Sequence, residues 1–284
     1  MKTSLVVSIS MMAASAAVAM MAVEAADAAT PKLVKKWETE ATLKVPESVY
    51  FDGKRNVLYV SNIDGEPWGD DKQGSIGKVG LDGKVIAAEW VTGLSAPKGL
   101  AVHGNNLYVG DMSELVVIDI EKGAIAKRIA VPGAKGLNDV AATPDGVIYA
   151  SDSPGKKVYV IKDGKPSVHL DNLQGPNGLL FHRGQLYVAD GKGVSKVGKD
   201  GKLVEVSGGM EGVLDGLEPI ADNEYLLSTW QGTIYHIKSD GSNEIVLDTR
   251  ADKINAADIG YDPAKRIVYV PTFFKNSVTA YEVK

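Results

Sequence analysis

A short apolar motif recurs six times along this 284-residue chain. Each copy is Leu-Tyr-Val or a close variant, and the copies are Leu58-Tyr59-Val60, Leu107-Tyr108-Val109, Ile148-Tyr149-Ala150, Leu186-Tyr187-Val188, Tyr225-Leu226-Leu227 and Val268-Tyr269-Val270. Their middle residues are separated by 49, 41, 38, 39 and 43 positions. Further apolar segments surround most copies, and polar turns such as Asp-Gly-Lys at 82–84, 163–165 and 200–202 separate them. Four short strands in each of six repeats predict an all-β, six-bladed β-propeller.

The two ends of the chain predict how the ring closes. The last repeat has only three strand-like segments, which lie within 257–262, 267–272 and 277–283. An unassigned strand-like segment lies before the first repeat, at 32–45. We therefore expect the N-terminal strand to be the outer strand of blade six, which would join both ends in one sheet and leave few exposed strand edges.

The N-terminus has the pattern of a secretory signal peptide. Lys2 supplies a positive start, Leu5 to Met21 is an apolar run, and Ala26-Asp27-Ala28 fits a small-residue cleavage site. We predict a signal peptide at 1–28, a propeller domain at 29–284 and a periplasmic or secreted bacterial protein that leaves the membrane after cleavage. The alternative is an uncleaved membrane anchor, for which the apolar run is marginally long.

Charge and cysteine content restrict the partners and the chemistry. The net charge is −5 and no basic run stands out, so nucleic acid is not an expected partner. The chain has no cysteine, which excludes disulfides and a lipid-anchored lipoprotein. We expect a monomer that acts on a small molecule, and the sequence does not identify a protein partner.

One polar residue opens the innermost strand in most of the repeats. These residues are Glu47, Asn138, Asn177 and Asp215, with Lys98 and Ala257 at the equivalent positions of repeats two and six. Propeller geometry makes them neighbours in a ring at one end of the central channel. Two carboxylates and two carboxamides form an oxygen-rich site of the kind that calcium prefers, although another divalent cation could bind. Zinc is not expected because no His or Cys joins the ring.

Loops on the same face would border this ring. The longest insertion, at 61–75, contains Trp68, and Trp230 and Phe273 lie on equivalent loops. We predict that these three aromatic residues and Lys98 line a substrate pocket, with the insertion as a lid or as an ordinary solvated loop. Asp111, Asp152 and Asp190 recur in register after the second strand, which indicates a structural role in binding loop backbone.

Four motifs in order resemble the senescence marker protein/gluconolactonase/LRE-like (regucalcin-like) family of six-bladed propellers, which has relatives in paraoxonase and diisopropyl fluorophosphatase. The motifs are PESVYFDGKRNVLYVSNIDG at 46–65, GLNDVAATPDGVIYASDS at 136–153, GPNGLLFHRGQLYVAD at 175–190 and LDGLEPIADNEYLLSTW at 214–230. The resemblance covers residues 32–284 and implies that Glu47, Asn177 and Asp215 ligate calcium. It implies that Asn138 is a further ligand or contacts substrate through a water. The chain departs from the family by lacking a nearby arginine after the Asn-Asp motif.

These observations lead to a functional hypothesis with two alternatives. The leading hypothesis is an exported calcium-dependent hydrolase of a lactone, ester or phosphoester, in which Asp215 or Asn138 helps to deliver the nucleophile. Lys98 could offset an anionic substrate or weaken metal binding by repulsion. The first alternative is a non-catalytic periplasmic propeller of the NHL type that binds a ligand or protein, with any metal structural. A strictosidine-synthase-like activity is a third, less supported option.

Overall fold

Six four-stranded antiparallel sheets form the protein, and each strand in a sheet is hydrogen-bonded to its neighbour. The computed structural model describes residue 1 and residues 30–284. The predicted signal peptide therefore lies, apart from Met1, outside the described residues. The six-bladed propeller predicted from the repeats is confirmed.

The blades follow the chain order, with the innermost strand first in blades one to five. The first strand of the described residues is β1 (Leu33–Glu38). Blade one contains β2 (Pro46–Asp52), β3 (Val57–Asn62), β4 (Gly74–Gly80) and β5 (Val85–Leu94). Blade two contains β6 (Pro97–His103), β7 (Asn106–Asp111), β8 (Glu114–Asp119) and β9 (Ala124–Ala130). Blade three contains β10 (Leu137–Ala142), β11 (Ile148–Asp152), β12 (Lys157–Lys162) and β13 (Lys165–Leu170).

The remaining blades have the same arrangement. Blade four contains β14 (Leu179–His182), β15 (Gln185–Asp190), β16 (Gly193–Val197) and β17 (Leu203–Gly208). Blade five contains β18 (Leu214–Ala221), β19 (Glu224–Thr229), β20 (Thr233–Ile237) and β21 (Asn243–Asp248). Blade six contains β22 (Gly260–Asp262), β23 (Ile267–Pro271) and β24 (Val278–Val283), with a short 3-10 helix at Phe273–Lys275 before β24.

The N-terminal strand closes blade six. Strand β1 pairs antiparallel with β24, with Leu33 opposite Val283 and Glu38 opposite Thr279. The order of the sheet is β1-β24-β23-β22, so β1 occupies the outer position that the sequence predicted. Among the described residues, no helix has the length and hydropathy needed to cross a membrane.

The apolar core lies between neighbouring blades. One buried cluster joins Tyr59 and Ile76 of blade one to Leu107 and Val116 of blade two. Tyr59, the middle residue of the first repeated triplet, is fully buried in this cluster. Because burial of one large apolar side chain contributes about 1.5–3 kcal/mol, these repeated contacts between blades supply much of the stability of the ring.

Candidate functional site

The polar ring residues lie in irregular backbone at the start of the inner strands. The pairing register shifts between Pro46 and Ser48 in blade one, and corresponding shifts occur at the starts of β6, β10 and β18. Glu47, Lys98, Asn138 and Asp215 lie within these bulges. A β-bulge leaves a residue outside the regular ladder and redirects its side chain, which is how such strands place functional groups.

In blade four the ring residue lies before the inner strand rather than within a bulge. Asn177 precedes β14, and its amide donates to the carbonyl of Ala189 at 3.0 Å. The amide of Ala189 donates in return to the carbonyl of Gly178 at 2.8 Å. This exchange holds Asn177 against the second strand although it lies outside the assigned inner strand.

A serine of the second strand fixes the backbone just after the ring residue in alternate blades. The hydroxyl groups of Ser61, Ser151 and Ser228 each accept a hydrogen bond at 2.9 Å, from the amides of residues 48, 139 and 216 respectively. All three serines are fully buried. These bonds satisfy amides that the bulge removes from the strand ladder.

An aspartate at the end of the second strand fixes the backbone just before the ring residue. The Asp111 carboxylate accepts from the amides of Ser95 and Ala96, and Asp190 accepts from those of Gln174 and Gly175. Asp152 accepts from the amides at 135, 136 and 155 at 2.9–3.0 Å. The recurrent aspartates therefore bind loop backbone, as their register in the sequence indicates.

One cavity of about 450 Å³ brings together the predicted site residues. Its polar lining comprises Glu47, Lys98, Asn138, Asn177 and Asp215, and its aromatic lining comprises Trp68, Trp230 and Phe273. The lining also includes Glu66, Pro67 and Val213, which sequence reasoning missed. Glu66 and Pro67 directly precede Trp68 in the long insertion, and Val213 lies two residues before Asp215. Their proximity in sequence to predicted residues was the signal that could have identified them. The volume lies in the lower part of the range of about 300–1,000 Å³ for small-molecule sites.

Two oxygen atoms of the polar ring have no hydrogen-bond donor among the described residues. These atoms are Oε2 of Glu47 and Oδ1 of Asn177, and both are buried. The Asn177 carboxamide is oriented by its Nδ2, which donates to Oδ1 of Asp215 at 3.3 Å. Nδ2 of Asn138 similarly donates to Oγ of Ser153 at 3.0 Å. Buried oxygens without donors are the expected surroundings of a cation.

The donor set fits calcium better than a transition metal. The ring combines two carboxylates with two carboxamides, and hard cations such as calcium accept this all-oxygen chemistry. Within residue 1 and residues 30–284, no group of three or more His, Cys, Asp or Glu side chains is arranged to hold a metal. A metal at this ring would therefore require the Asn138 and Asn177 oxygens in addition to Glu47 and Asp215.

Burial dominates the electrostatics of the ring. It raises the pKa of Glu47, an effect that the Lys98 ammonium opposes and the Asp258 carboxyl reinforces. Burial, together with the carboxyls of Glu47 and Asp258, also raises the pKa of Asp215 well above its usual range. Burial lowers the pKa of Lys98, whereas Glu47 and Asp215 oppose this effect. A bound divalent cation would relieve the repulsion between the two ring carboxylates.

A second polar layer lies one residue farther along the inner strands. Asp139 and Asp258 are buried and line the lower part of the central channel, a cavity of about 240 Å³. Oδ2 of Asp139 accepts from the Leu179 amide at 2.6 Å, and Oδ2 of Asp258 accepts from Oγ of Ser48 at 2.5 Å. Neither aspartate was predicted as a site residue from the sequence, although Asp139 belongs to the Asn-Asp motif.

Glycines of the preceding blades make room for this layer. A Cβ atom added to Gly99 would lie 2.3 Å from Oδ1 of Asp139. A Cβ atom added to Gly216 would lie 2.4 Å from Oδ1 of Asp258 and 2.3 Å from the amide nitrogen of Ile259. Neither separation is compatible with a side chain, so the layer requires glycine at both positions.

The aromatic wall is built from loops on one face. The Trp230 ring meets the Phe273 ring edge to face, with centroids 5.6 Å apart. Trp68 lies opposite Gly136, where an added Cβ would be 2.5 Å from Cζ3 of the indole. The Trp68 side chain is 43% exposed, so it lies at the mouth of the cavity.

Histidines do not contribute to the cavity lining within the described residues. His103 and His182 end inner strands β6 and β14, at the opposite end from the ring. His169 lies on β13, and His236 is buried on β20, where its Nε2 lies 2.9 Å from Oε2 of Glu224. The site chemistry is therefore that of carboxylates, carboxamides and one lysine.

Solved structures share this architecture. A gluconolactonase from Xanthomonas campestris has a TM-score of 0.67 and 18% identity, over 89% of this chain and 90% of that protein. The fold matches that of gluconolactonase propellers. A streptogramin B lyase is also similar, with a TM-score of 0.64 and 11% identity over 89% of this chain and 97% of the lyase. A virginiamycin B lyase from Staphylococcus aureus, solved with quinupristin, has a TM-score of 0.63 and 13% identity over 89% of this chain and 100% of the lyase.

Sequence comparison adds no closer relationship. No protein-family model matches the chain, and no curated protein sequence matches it. Identities below 20% with the three solved structures show a common fold alone. The fold expected from the family resemblance is confirmed, whereas the function depends on the cavity itself.

Proposed function

We propose that this protein is a calcium-dependent hydrolase that acts on a lactone, ester or phosphoester in the cavity at the polar ring. The observation that carries the proposal is a pair of buried oxygens, Oε2 of Glu47 and Oδ1 of Asn177, that lie beside the Asp215 carboxyl and have no donor in the part of the chain that the structure describes. Glu47, Asn138, Asn177 and Asp215 would hold the cation, with water completing the roughly six to eight oxygens that calcium takes.

The bound cation would polarise the oxygen of the scissile group and stabilise the negative charge that develops on it. Asp215 would accept a proton from the attacking water. Asn138, anchored by its bond to Ser153, would orient that water. The aromatic wall would bind the apolar part of the substrate and exclude bulk water.

Calcium binding by calorimetry tests the metal site. Asp215→Asn and Glu47→Gln should each weaken calcium affinity by at least about tenfold, because each removes a charged ligand. Glu211→Gln is the matched control, since this exposed carboxylate lies four residues before Asp215 in the loop that leads into the same blade, and it should change the affinity less than about twofold. Absence of calcium binding by the wild type would reject the proposed hydrolase.

Turnover is tested separately with small lactones and aryl esters. Hydrolysis should stop when a chelator removes calcium and return when calcium is added in excess. Asp215→Asn should remain slow even at calcium concentrations that saturate it, because the base is lost. Calcium binding without turnover of any tested substrate would instead favour a propeller that binds a ligand without catalysis.

We also propose that the chain is exported and acts as a monomer. The N-terminal pattern at 1–28 supports export. Mass spectrometry of protein recovered from the producing cells should show an N-terminus near Ala29, and light scattering should give the mass of one chain. An intact N-terminus that remains with the membrane fraction would indicate an uncleaved anchor.

A further inference from the structure

Lys98 carries a buried cation that has no anionic partner in contact. Its side chain is 3% exposed, and among the described residues no Asp or Glu oxygen lies within 4.0 Å of Nζ. Its close contact is the Trp68 ring, whose centroid lies 4.5 Å from Nζ. A buried ammonium group whose close contact is an aromatic face lacks the hydrogen-bond acceptors that normally offset its loss of water.

Of the carboxylates near Lys98, Asp111 already has other partners. Asp111 accepts hydrogen bonds from the amides of Ser95 and Ala96, and Nη1 of Arg128 lies 3.6 Å from its Oδ2. Glu47 and Asp215 would be the two charged ligands of a divalent cation, whose charge they would balance. With a divalent cation bound to Glu47 and Asp215, no carboxylate of the polar ring would remain to balance the charge of the Lys98 ammonium.

We infer that the substrate of this site carries a negatively charged group, a carboxylate or similar monoanion, which pairs with Lys98 beneath the Trp68 ring while the scissile group lies at Glu47 and Asp215. The inference rests on the proposed function, because it assigns the substrate class of the same cavity. Charge-assisted contact with a buried lysine is stronger than a neutral hydrogen bond and would orient the substrate as well as bind it. The cavity of about 450 Å³ has room for a small anionic lactone or ester.

The test compares two ligands that differ only in charge and contain no scissile bond. Tetrahydrofuran-2-carboxylate and tetrahydrofuran-2-carboxamide have nearly the same shape, and their dissociation constants can be measured by calorimetry on the full chain, with calcium and with chelator. In calcium, the carboxylate should bind at least about tenfold more tightly than the carboxamide, a difference of ~1.4 kcal/mol. Equal affinities, or no binding of either ligand, would overturn the inference.

Variants assign the preference to Lys98. Lys98→Met should remove the preference for the carboxylate and leave carboxamide affinity within about twofold, whereas Lys98→Arg should retain the preference because it retains the charge. Lys135→Met is the control, since this exposed lysine lies three residues before Asn138. It should keep the full preference. A preference that persists in a folded Lys98→Met protein would contradict the inference, and if that variant does not fold, Lys98→Gln provides the same comparison.

Turnover separates this inference from the proposed hydrolase. The reactive pair is γ-butyrolactone-γ-carboxylate and γ-isopropyl-γ-butyrolactone, which again differ mainly in charge. Faster hydrolysis of the anionic lactone, lost in Lys98→Met, would support both proposals. Hydrolysis of neither lactone, with the carboxylate binding preference intact, would count against the hydrolase and still support the role of Lys98 in anion binding.

Discussion

Asp152 provides a direct test of how the fold positions the ring. Its carboxylate is fully buried and accepts hydrogen bonds from the backbone amides of Lys135, Gly136 and Gly155. Two of these amides lie just before Asn138 in the chain. Asp152→Ala would leave three donors without their acceptor, and the Gly136 amide is buried and cannot turn to water.

The expected loss of stability follows from these contacts. A buried donor left without a partner costs about 1–3 kcal/mol, and partly exposed donors regain some of this by hydration. We therefore expect Asp152→Ala to lower the free energy of unfolding by about 3–5 kcal/mol. This is a large share of the total of about 5–15 kcal/mol that is usual for a domain.

Asp190 is the matched control because its carboxylate also accepts hydrogen bonds from loop amides, but at a more solvent-exposed position. It accepts from the amides of Gln174 and Gly175 at 2.7–3.0 Å, and the Gln174 contact is exposed. Asp190→Ala should therefore lower the free energy of unfolding by only about 1 kcal/mol. Urea unfolding monitored by tryptophan fluorescence measures both values. Equal losses in the two variants would refute the reasoning that burial of the donors sets the cost.

Three further predictions concern the channel and the mouth of the cavity. Gly216→Ala should lower the free energy of unfolding by about 2 kcal/mol or more, because the new Cβ would lie 2.3 Å from the Ile259 amide nitrogen. Gly175→Ala is the control, since a Cβ there has open space, and it should change the free energy of unfolding by less than about 0.5 kcal/mol. Urea unfolding measures both values. In calcium-free buffer, Glu47→Gln should become more stable relative to wild type as the pH rises from 4.5 to about 8, by up to ~1.4 kcal/mol per pH unit. Burial raises the pKa of Glu47 to about 8, so over this range the folded wild type keeps a proton that the unfolded chain has already released, and rising pH favours unfolding. A difference that stays constant over this range would show that Glu47 does not titrate so high. Trp68→Ala should raise the dissociation constant of tetrahydrofuran-2-carboxamide, measured by calorimetry, by about tenfold while leaving the fold intact. This magnitude corresponds to an indole that shields roughly 50–60 Å² of apolar ligand surface. An unchanged dissociation constant would show that Trp68 is not part of the pocket wall.

The sequence determined the architecture because the relevant signals are local. Alternation of apolar and polar residues within each strand, turn chemistry and repeat spacing specify the number of blades. The missing outer strand of the last repeat indicated that the N-terminal strand would complete it, and β1 pairs with β24 accordingly. Repeat register also predicted that Glu47, Asn138, Asn177 and Asp215 would share one cavity, although they span most of the chain.

The tertiary structure decided which side chains contact one another between blades and which groups those contacts bury. Asp139 and Asp258 form a buried layer only because Gly99 and Gly216 of neighbouring blades leave space for them, and no local pattern reports a distance across the channel. The isolation of the Lys98 ammonium is likewise a property of the packed ring. Burial and charge pairing arise from residues that are distant in sequence. The strand pattern can therefore place Lys98 in the ring, but only the packed fold shows that no carboxylate within residues 30–284 contacts its ammonium group.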